Sequence, residues 1–397
     1  MGRLVLLGCL AYVVVGFGHL AIGSVMEPMV RAYGISYAEG GQLIMNQFLG
    51  VMFGMMVAPW LIRRFGKKTL LFAALGTMVV AEAIFVAQPP WEWMLVVGPF
   101  AGFGFGTTEA VVGAFIIGSA AGNANVAMTR VETFFGIGAL VMPFVGSLLI
   151  SEGLWKLTFG FVSLLTLATL VLWILFWPDI LDREGGYAAD EAAAKEPGVT
   201  KRRATLILGV CAVFFVLYVG LEMSFTHYLP SVLVQNNGLS ESHASLSLAV
   251  FWAAITIGRL FTGHIADRIG EGSYLFAACV ASAAVFALMG AADHATALFV
   301  LVFLAGLAMS GMFAVALVFA NRAVPGITDR ATSLLMAFGG LGGALVPKLT
   351  GQVLDEQGPD ATRWLYAVFA IALVFVIAGA VRAAKGSPQG RIDAKKA

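Results

Sequence analysis

Long apolar stretches separated by short polar segments run along the whole chain. A helix needs about 20 apolar residues to cross the hydrocarbon core of a bilayer, and runs of that length tile nearly all of the 397 residues. The pattern predicts an all-α membrane protein with twelve membrane-spanning helices. Their expected bounds are residues 4–30, 37–62, 68–88, 91–121, 128–151, 155–178, 204–235, 243–267, 273–292, 296–322, 328–355 and 362–384.

One longer polar segment, residues 179–203, lies between the sixth and seventh spans. We interpret it as a cytoplasmic linker between an N-terminal six-helix bundle, residues 1–178, and a C-terminal six-helix bundle with a short cytoplasmic tail, residues 204–397. Placing both termini in the cytoplasm puts most of the 24 Lys and Arg residues on that side, as the positive-inside rule requires. The opposite topology would invert the bias.

Composition excludes several classes of protein. Hydrophobic residues make up 59% of the chain and charged residues 12%, which is too apolar for a soluble protein of this length. The formal net charge of +1 argues against a nucleic-acid partner. Cys9, Cys211 and Cys279 fall inside apolar runs without metal-ligand spacing. We therefore expect them to pack as small apolar residues, and we expect no metal site.

The two halves contain an internal repeat at an offset of 204 residues. Aligned pairs include Gly54 with Gly258, Ala101-Gly102 with Ala305-Gly306, Gly138 with Gly342, and Pro143 with Pro347. Two six-helix halves of like orientation form the parallel repeat of the major facilitator fold. In this register Glu109 corresponds to Phe313, so helix packing alone does not require the carboxylate.

The loop GHIADRIG, between spans 8 and 9, resembles the signature cytoplasmic loop of the major facilitator superfamily. Its Asp267 and Arg268 can cap and pair with neighbouring helix ends. The first-half counterpart has Arg63 where that loop usually carries aspartate, followed by Arg64. We interpret both loops as structural latches of a gate rather than as substrate sites.

Pro143 and Pro347 each lie inside a glycine-rich segment, in spans 5 and 11. Proline removes a backbone hydrogen bond and kinks a helix, while glycine lets neighbouring helices approach closely. A Gly/Pro segment in span 5 also marks drug:proton antiporters. Because the segment recurs in span 11, a symmetric hinge or packing role explains it equally well.

Glu109 and Glu222 lie near the midpoints of spans 4 and 7, which line the central cavity in the major facilitator architecture. A charged residue at that depth costs about 2.5–3.5 kcal/mol to insert and usually faces a cavity or a partner. A buried carboxyl group can load and release a proton, and a carboxylate accepts hydrogen bonds from sugar hydroxyls. The alternative is a carboxyl group that only holds helices together.

Three further charged residues allow more than one interpretation. Glu132, one turn into span 5, is either another proton-coupling group or a charge at a helix start. Arg259, on span 8, either offsets a carboxylate or belongs to the gate near Asp267. Glu82, on the peripheral third span, either reaches outward to the interface or has a functional role.

Polar and aromatic residues at similar depth complete a candidate substrate site. Amides and imidazoles both donate and accept hydrogen bonds, and an indole offers a flat apolar face, which suits a hydroxylated ring. The residues are His19, Asn46, Gln47, His227 and Trp252. For any one aromatic residue, a core or lipid-facing position is the stronger single interpretation.

Seven of these segments resemble the fucose/galactose/glucose:proton symporter family, especially its bacterial glucose/mannose:proton symporter branch. The matching stretches are VGFGHLAIGSVMEP (15–28), QFLG (47–50), GFGTTEAVVGAF (104–115), RVETFFGIGAL (130–140), GLEMSFTHYLPS (220–231), FWAAITIGRLFTG (251–263) and FGGLGGA (338–344). The resemblance implies proton-coupled monosaccharide uptake, with Glu109 as a substrate-binding or protonation site. Fucose permeases carry a further carboxylate in span 1 and an asparagine in span 5, where this chain offers His19 or Glu27, and Phe135.

We therefore expect a monomeric secondary transporter of the cytoplasmic (inner) membrane that works by alternating access. Its partners would be protons, the lipid bilayer and a small solute such as a sugar, with the proton gradient as energy source and no cofactor. The alternative is proton-coupled efflux of a drug or amphipathic metabolite, favoured by Phe- and Met-rich spans but lacking the antiporter arginine in span 4. The sequence contains no nucleophile–base pair or phosphate-binding loop, so we expect no enzyme.

Overall fold

The computed structural model describes residues 2–119, 124–178, 181, 201–324 and 328–384. These ranges are helical and contain no β-strand, as the sequence predicts. The helices are α1 Gly2–Ser24, α2 Met26–Tyr33, α3 Tyr37–Phe65, α4 Lys67–Val86, α5 Trp91–Ser119, α6 Ala124–Ser151, α7 Leu157–Leu175, α8 Lys201–Asn237, α9 Glu241–Ile269, α10 Glu271–Ala291, α11 Ala295–Met309, α12 Met312–Ala323 and α13 Thr328–Ala384. Most of the linker expected at 179–203, and the tail after residue 384, lie outside the described residues.

Eleven helical stretches in the described ranges are long and apolar enough to cross a membrane. The first ten fall on the first ten predicted spans. The last, Leu334–Ala384, has 51 residues, about twice the length of one span. Gly358 has non-helical backbone angles, φ 81° and ψ −177°, within it, between the two spans that the sequence predicts there. The helical membrane architecture is confirmed, while the count of twelve spans stays a prediction.

Two predicted spans are each interrupted by a short break. The first breaks at Val25, between α1 and α2. The tenth breaks at Gly311, where a Cβ atom would meet the side chains of Thr262 and Tyr274. The hydroxyl of Ser310 lies 3.4 Å from that of Thr262. This close packing against α9 and α10 explains why the position is glycine, because no larger residue fits there.

The chain forms two compact units. The first contains Met1–Tyr187 together with Thr226–Ala249, and the second contains Ala188–Phe225 together with Val250–Ala397. In the first unit α3 packs on α5, α1 packs on α6, and α4 contacts both α5 and α7. In the second unit α10 packs on α13 and contacts α11. The boundaries that the sequence predicts for the two six-helix bundles stay a prediction.

Glycine contacts reproduce the internal repeat within each unit. In the first, a Cβ atom on Gly102 would meet the backbone carbonyl of Gln47; in the second, a Cβ atom on Gly306 would meet the carbonyl of Phe251. Both partners are related by the same offset of 204 residues. At another repeated pair, a Cβ atom on Gly54 would meet the carbonyl of Phe103, whereas one on Gly258 would meet the side chain of Ser310. The repeated glycines therefore serve close helix crossing, as their alignment predicts.

Candidate functional site

Glu109 lies on α5 and is half-buried. The hydroxyl of Tyr12, on α1, donates a 3.2 Å hydrogen bond to the backbone carbonyl of Glu109 and so joins the two helices at this level. Glu132, exposed on α6, lies close enough for its negative charge to repel that of Glu109. Among the Lys and Arg side chains that the structure describes, none forms an ion pair with Glu109. Two neighbouring carboxyl groups can exchange a proton or accept hydrogen bonds from a hydroxylated ligand.

His19 lies on α1, seven residues after Tyr12, and it is buried at 6% exposure. Its Nδ1 lies 3.0 Å from the backbone carbonyl of Val15. A carbonyl only accepts, so Nδ1 carries the proton and Nε2 of the neutral ring is left as an acceptor. The imidazole is surrounded by aromatic rings at 5.4–5.6 Å between centroids, from Phe48, Phe105 and Phe135. His19 therefore presents an acceptor beside an aromatic cluster.

Asn46 and Gln47, neighbours on α3, differ in how their amides are used. The Asn46 amide donates a 3.0 Å hydrogen bond to the Leu95 carbonyl and accepts a 2.7 Å hydrogen bond from Gln42. Gln47 is 1% exposed, and neither its amide oxygen nor its amide nitrogen has a hydrogen-bond partner among the described residues. Asn46 therefore joins α3 to α5, whereas Gln47 keeps its full capacity for a ligand.

In the second unit, Glu222 on α8 is buried at 7% exposure. The hydroxyl of Tyr218, one turn earlier, donates a 2.9 Å hydrogen bond to its carboxylate. The same hydroxyl lies 3.3 Å from the backbone carbonyl of Met309. Arg259, which is exposed on α9, attracts the Glu222 carboxylate electrostatically. Glu222 thus has both a hydrogen-bond donor and a nearby positive charge.

The two remaining substrate candidates are both fully buried aromatic residues. His227 is 0% exposed, and its ring lies 6.1 Å from that of Phe48 in the first unit. A Cβ atom on Gly23 would meet the His227 backbone, so α1 and α8 cross closely here. Trp252 is 1% exposed in the second unit, with its ring 6.1 Å from that of Phe251. The structure thus places His227 beside the His19 aromatic cluster.

The residues expected to act in gating occupy two environments. Asp267 and Arg268 are exposed at the end of α9, and Arg63 and Arg64 are exposed at the end of α3. The two prolines expected to kink helices lie inside α6 and α13 and are buried. Glu82 differs from its expectation, because it is 1% exposed and packed in the first unit rather than reaching outward.

The sequence did not single out Tyr12, Tyr218, Phe48 or Phe105. The i, i+4 spacing of Tyr218 and Glu222 is a local signal that would have found their contact. The contact between Tyr12 and Glu109 joins residues 97 positions apart. Hydropathy carries no information about such a pairing.

Comparison with known proteins agrees with this architecture. A model of the Major Facilitator Superfamily matches residues 8–237 and 210–396. The glucose/mannose transporter GlcP of Bacillus subtilis is 28% identical over 379 residues, which cover 93% of this chain and 92% of that protein. The glucose/galactose transporter of Brucella abortus is 27% identical over 359 residues, covering 85% and 84%. The crystal structure of a D-xylose-proton symporter superposes with a TM-score of 0.73 at 15% identity, covering 94% of this chain and 96% of that one.

These matches confirm the resemblance that the motifs indicate, and the relatives are transporters rather than enzymes. With its apolar spanning helices, the protein is a multi-pass transporter of the cytoplasmic (inner) membrane. Because the family model covers almost all of it, this chain belongs to the Major Facilitator Superfamily.

Proposed function

We propose that this protein is a monomeric proton:monosaccharide symporter that works by alternating access. It would have twelve spans in two six-helix repeats, with both termini in the cytoplasm. The proton gradient would supply the energy for transport, without a cofactor. Similarity over nearly full length to glucose/mannose and glucose/galactose transporters supports a small hydroxylated solute. The positive-inside distribution of Lys and Arg supports the orientation.

The observation that carries the proposal is the buried amide of Gln47. Leaving a buried polar group without a hydrogen-bond partner costs about 1–3 kcal/mol. Neither the oxygen nor the nitrogen of the Gln47 amide has such a partner among the described residues. Neighbouring hydroxyls of a sugar ring provide a donor and an acceptor together. The acceptor of His19 and its surrounding phenylalanine rings, described above, would contact the same ring through its hydroxyls and its apolar face.

We assign proton coupling first to Glu109, with Glu132 and Glu222 as further coupling groups. Glu109 lies in the membrane beside a second carboxylate and has no described cation. Protonation would remove the repulsion between Glu109 and Glu132, which links proton uptake to the arrangement of α5 and α6. Glu222, with Tyr218 and Arg259, fits either a coupling role or a binding role.

Alternating access requires contacts that form and break during the cycle. In the first unit, Arg31 pairs with Glu241 at 2.6 Å, and the hydroxyl of Ser147 lies 2.8 Å from that of Ser242. The proposed topology places these contacts at the outer face of the membrane. We propose that they form the outer gate, which opens when substrate enters from outside.

A second candidate function is proton-coupled efflux of an amphipathic compound. The cluster of phenylalanine rings around His19 favours it, because such a surface also suits apolar cargo. Thermal unfolding of the purified protein distinguishes the two, since a ligand that binds only the folded state raises the midpoint. We expect D-glucose or D-mannose to raise the midpoint and L-glucose to leave it unchanged. Stabilisation by lipophilic cations alone would replace the sugar assignment with efflux.

A further inference from the structure

Four cations cluster where α3 ends and α4 begins, at Arg63, Arg64, Lys67 and Lys68. Three of them are exposed and Lys67 is half-buried. Within the described ranges none of the four forms an ion pair with a carboxylate. The sequence also places no Asp or Glu between residues 39 and 82. This α3–α4 corner therefore concentrates positive charge without a described counter-charge.

The repeat indicates that helix packing does not require three of these four cations. At the offset of 204 residues, Arg63 corresponds to Asp267 and Lys67 to Glu271. In the second unit Glu271 is buried and forms an ion pair with Arg322. Arg64 corresponds to Arg268, so this one cation occurs in both halves. The charges of Arg63, Lys67 and Lys68 are a separate feature of the first half.

Aromatic rings hold the two lysine ammonium groups in place. The Lys68 Nζ lies 5.3 Å from the ring centre of Trp177 and 5.9 Å from that of Phe72. The Lys67 Nζ lies 6.0 Å from the ring centre of Phe115. A cation over an aromatic face is attracted to the ring while its remaining N–H groups stay available. The ammonium groups are therefore pre-positioned for an anion.

An exposed apolar stripe leads along α3 to the same corner. Phe53, Met56 and Trp60 are 59%, 63% and 57% exposed. Their spacing of three and four residues places them on one helix face, and the next positions on that face are Arg63 and Arg64. A soluble anion would use only the cations. An amphiphile with an anionic head and an apolar chain would contact both parts.

We propose that the α3–α4 corner binds an anionic phospholipid. Its phosphodiester would lie against Arg63 and Arg64 with the two ammonium groups alongside, and one acyl chain would follow the stripe that ends at Trp60. Guanidinium groups match phosphate oxygens in a bidentate geometry. Anionic headgroups lie at the membrane surface where such cations attract them. This site is independent of the sugar and of the coupled proton.

Native mass spectrometry of the full-length protein tests the proposal by titration with phosphatidylglycerol and with phosphatidylcholine of the same acyl chains. Each cation near an anionic lipid strengthens binding about fivefold. We expect the R63Q/R64Q variant to bind phosphatidylglycerol about 10- to 30-fold more weakly, with phosphatidylcholine binding unchanged. The R63K/R64K variant, which keeps both charges, should retain most of the preference.

The matched control is R3Q/R382Q, which removes two exposed cations from other helix ends. It should bind phosphatidylglycerol like the wild type. An equal loss of phosphatidylglycerol binding in this control, or no loss in R63Q/R64Q, would show only a general attraction between the cations of the protein and anionic lipid. Either result would overturn the proposed site. Displacement of the lipid by an equal concentration of glycerol phosphate would also overturn it, because a lipid held by its chain resists that competitor.

Discussion

The hydroxyl oxygens of Ser147 and Ser242 lie 2.8 Å apart, although 95 residues separate them in the sequence. The Ser242 hydroxyl also lies 3.0 Å from the Ser147 backbone carbonyl. The contact joins the end of α6 to the start of α9, next to the ion pair of Arg31 with Glu241. Under alternating access, this contact exists during only part of each cycle.

We therefore expect a disulfide between S147C and S242C to stop uptake. Hydroxyl groups at this distance place the two side chains within the reach of a disulfide, and the three native cysteines are buried, which keeps background oxidation low. Oxidation should reduce uptake to background, and dithiothreitol should restore it. Each single-cysteine variant serves as a control. Wild-type uptake by fully cross-linked protein would show that the contact need not open.

Replacing Glu109 by Gln should abolish uphill accumulation of sugar and leave sugar exchange intact. The amide keeps the size and hydrogen-bonding capacity of the side chain but cannot carry the proton. Proteoliposomes measure both quantities, accumulation under a pH gradient and counterflow without one. The control is E92Q, which changes an exposed carboxylate on the same helix. Normal accumulation by E109Q would remove Glu109 from the coupling step.

Replacing Gln47 by Leu should raise stability and weaken sugar binding at the same time. Leu removes a buried amide without described partners, which favours the folded state by about 1–3 kcal/mol. The matched variant N46L should lower stability by a similar amount, because Gln42 and the Leu95 carbonyl lose their partner. Thermal unfolding with and without sugar measures both effects. A Q47L protein that is less stable and binds sugar normally would contradict the binding role.

Replacing Tyr218 by Phe should destabilise the protein by about 1–3 kcal/mol, because the buried carboxylate of Glu222 loses its hydrogen-bond donor. The matched variant Y366F removes a buried hydroxyl 3.5 Å from the Ser224 carbonyl and should cost less. Thermal unfolding of the two variants and the wild type measures both effects. Wild-type stability in Y218F, or an equal loss in Y366F, would contradict the importance of the contact between Tyr218 and Glu222.

The helices were predictable because hydropathy records membrane burial directly. The third predicted span, residues 68–88, corresponds to Lys67–Val86, and the eighth, residues 243–267, to Glu241–Ile269. The repeat register also predicted which glycines lie at helix crossings, since Gly102 and Gly306 both contact a carbonyl on the neighbouring helix. These features depend on local composition or on an internal comparison.

The surroundings of the candidate residues were less accessible to sequence reasoning. The local sequence does not show that the Asn46 amide donates a hydrogen bond to the Leu95 carbonyl, or that the amide of its neighbour Gln47 has no described partner. The burial of Glu82 depends on how α4 packs, whereas the sequence shows only its membership of an apolar span. Such differences arise from contacts between distant segments.

The most direct test of proton:sugar symport is flux of radiolabelled D-glucose and D-mannose into proteoliposomes with an alkaline interior. For one proton per sugar, a gradient of one pH unit should give about tenfold accumulation, since one unit corresponds to about 1.4 kcal/mol. A protonophore should abolish it, and a sodium gradient at equal pH should not replace it. Equilibration of both sugars without accumulation, or uphill transport driven by sodium alone, would contradict the account.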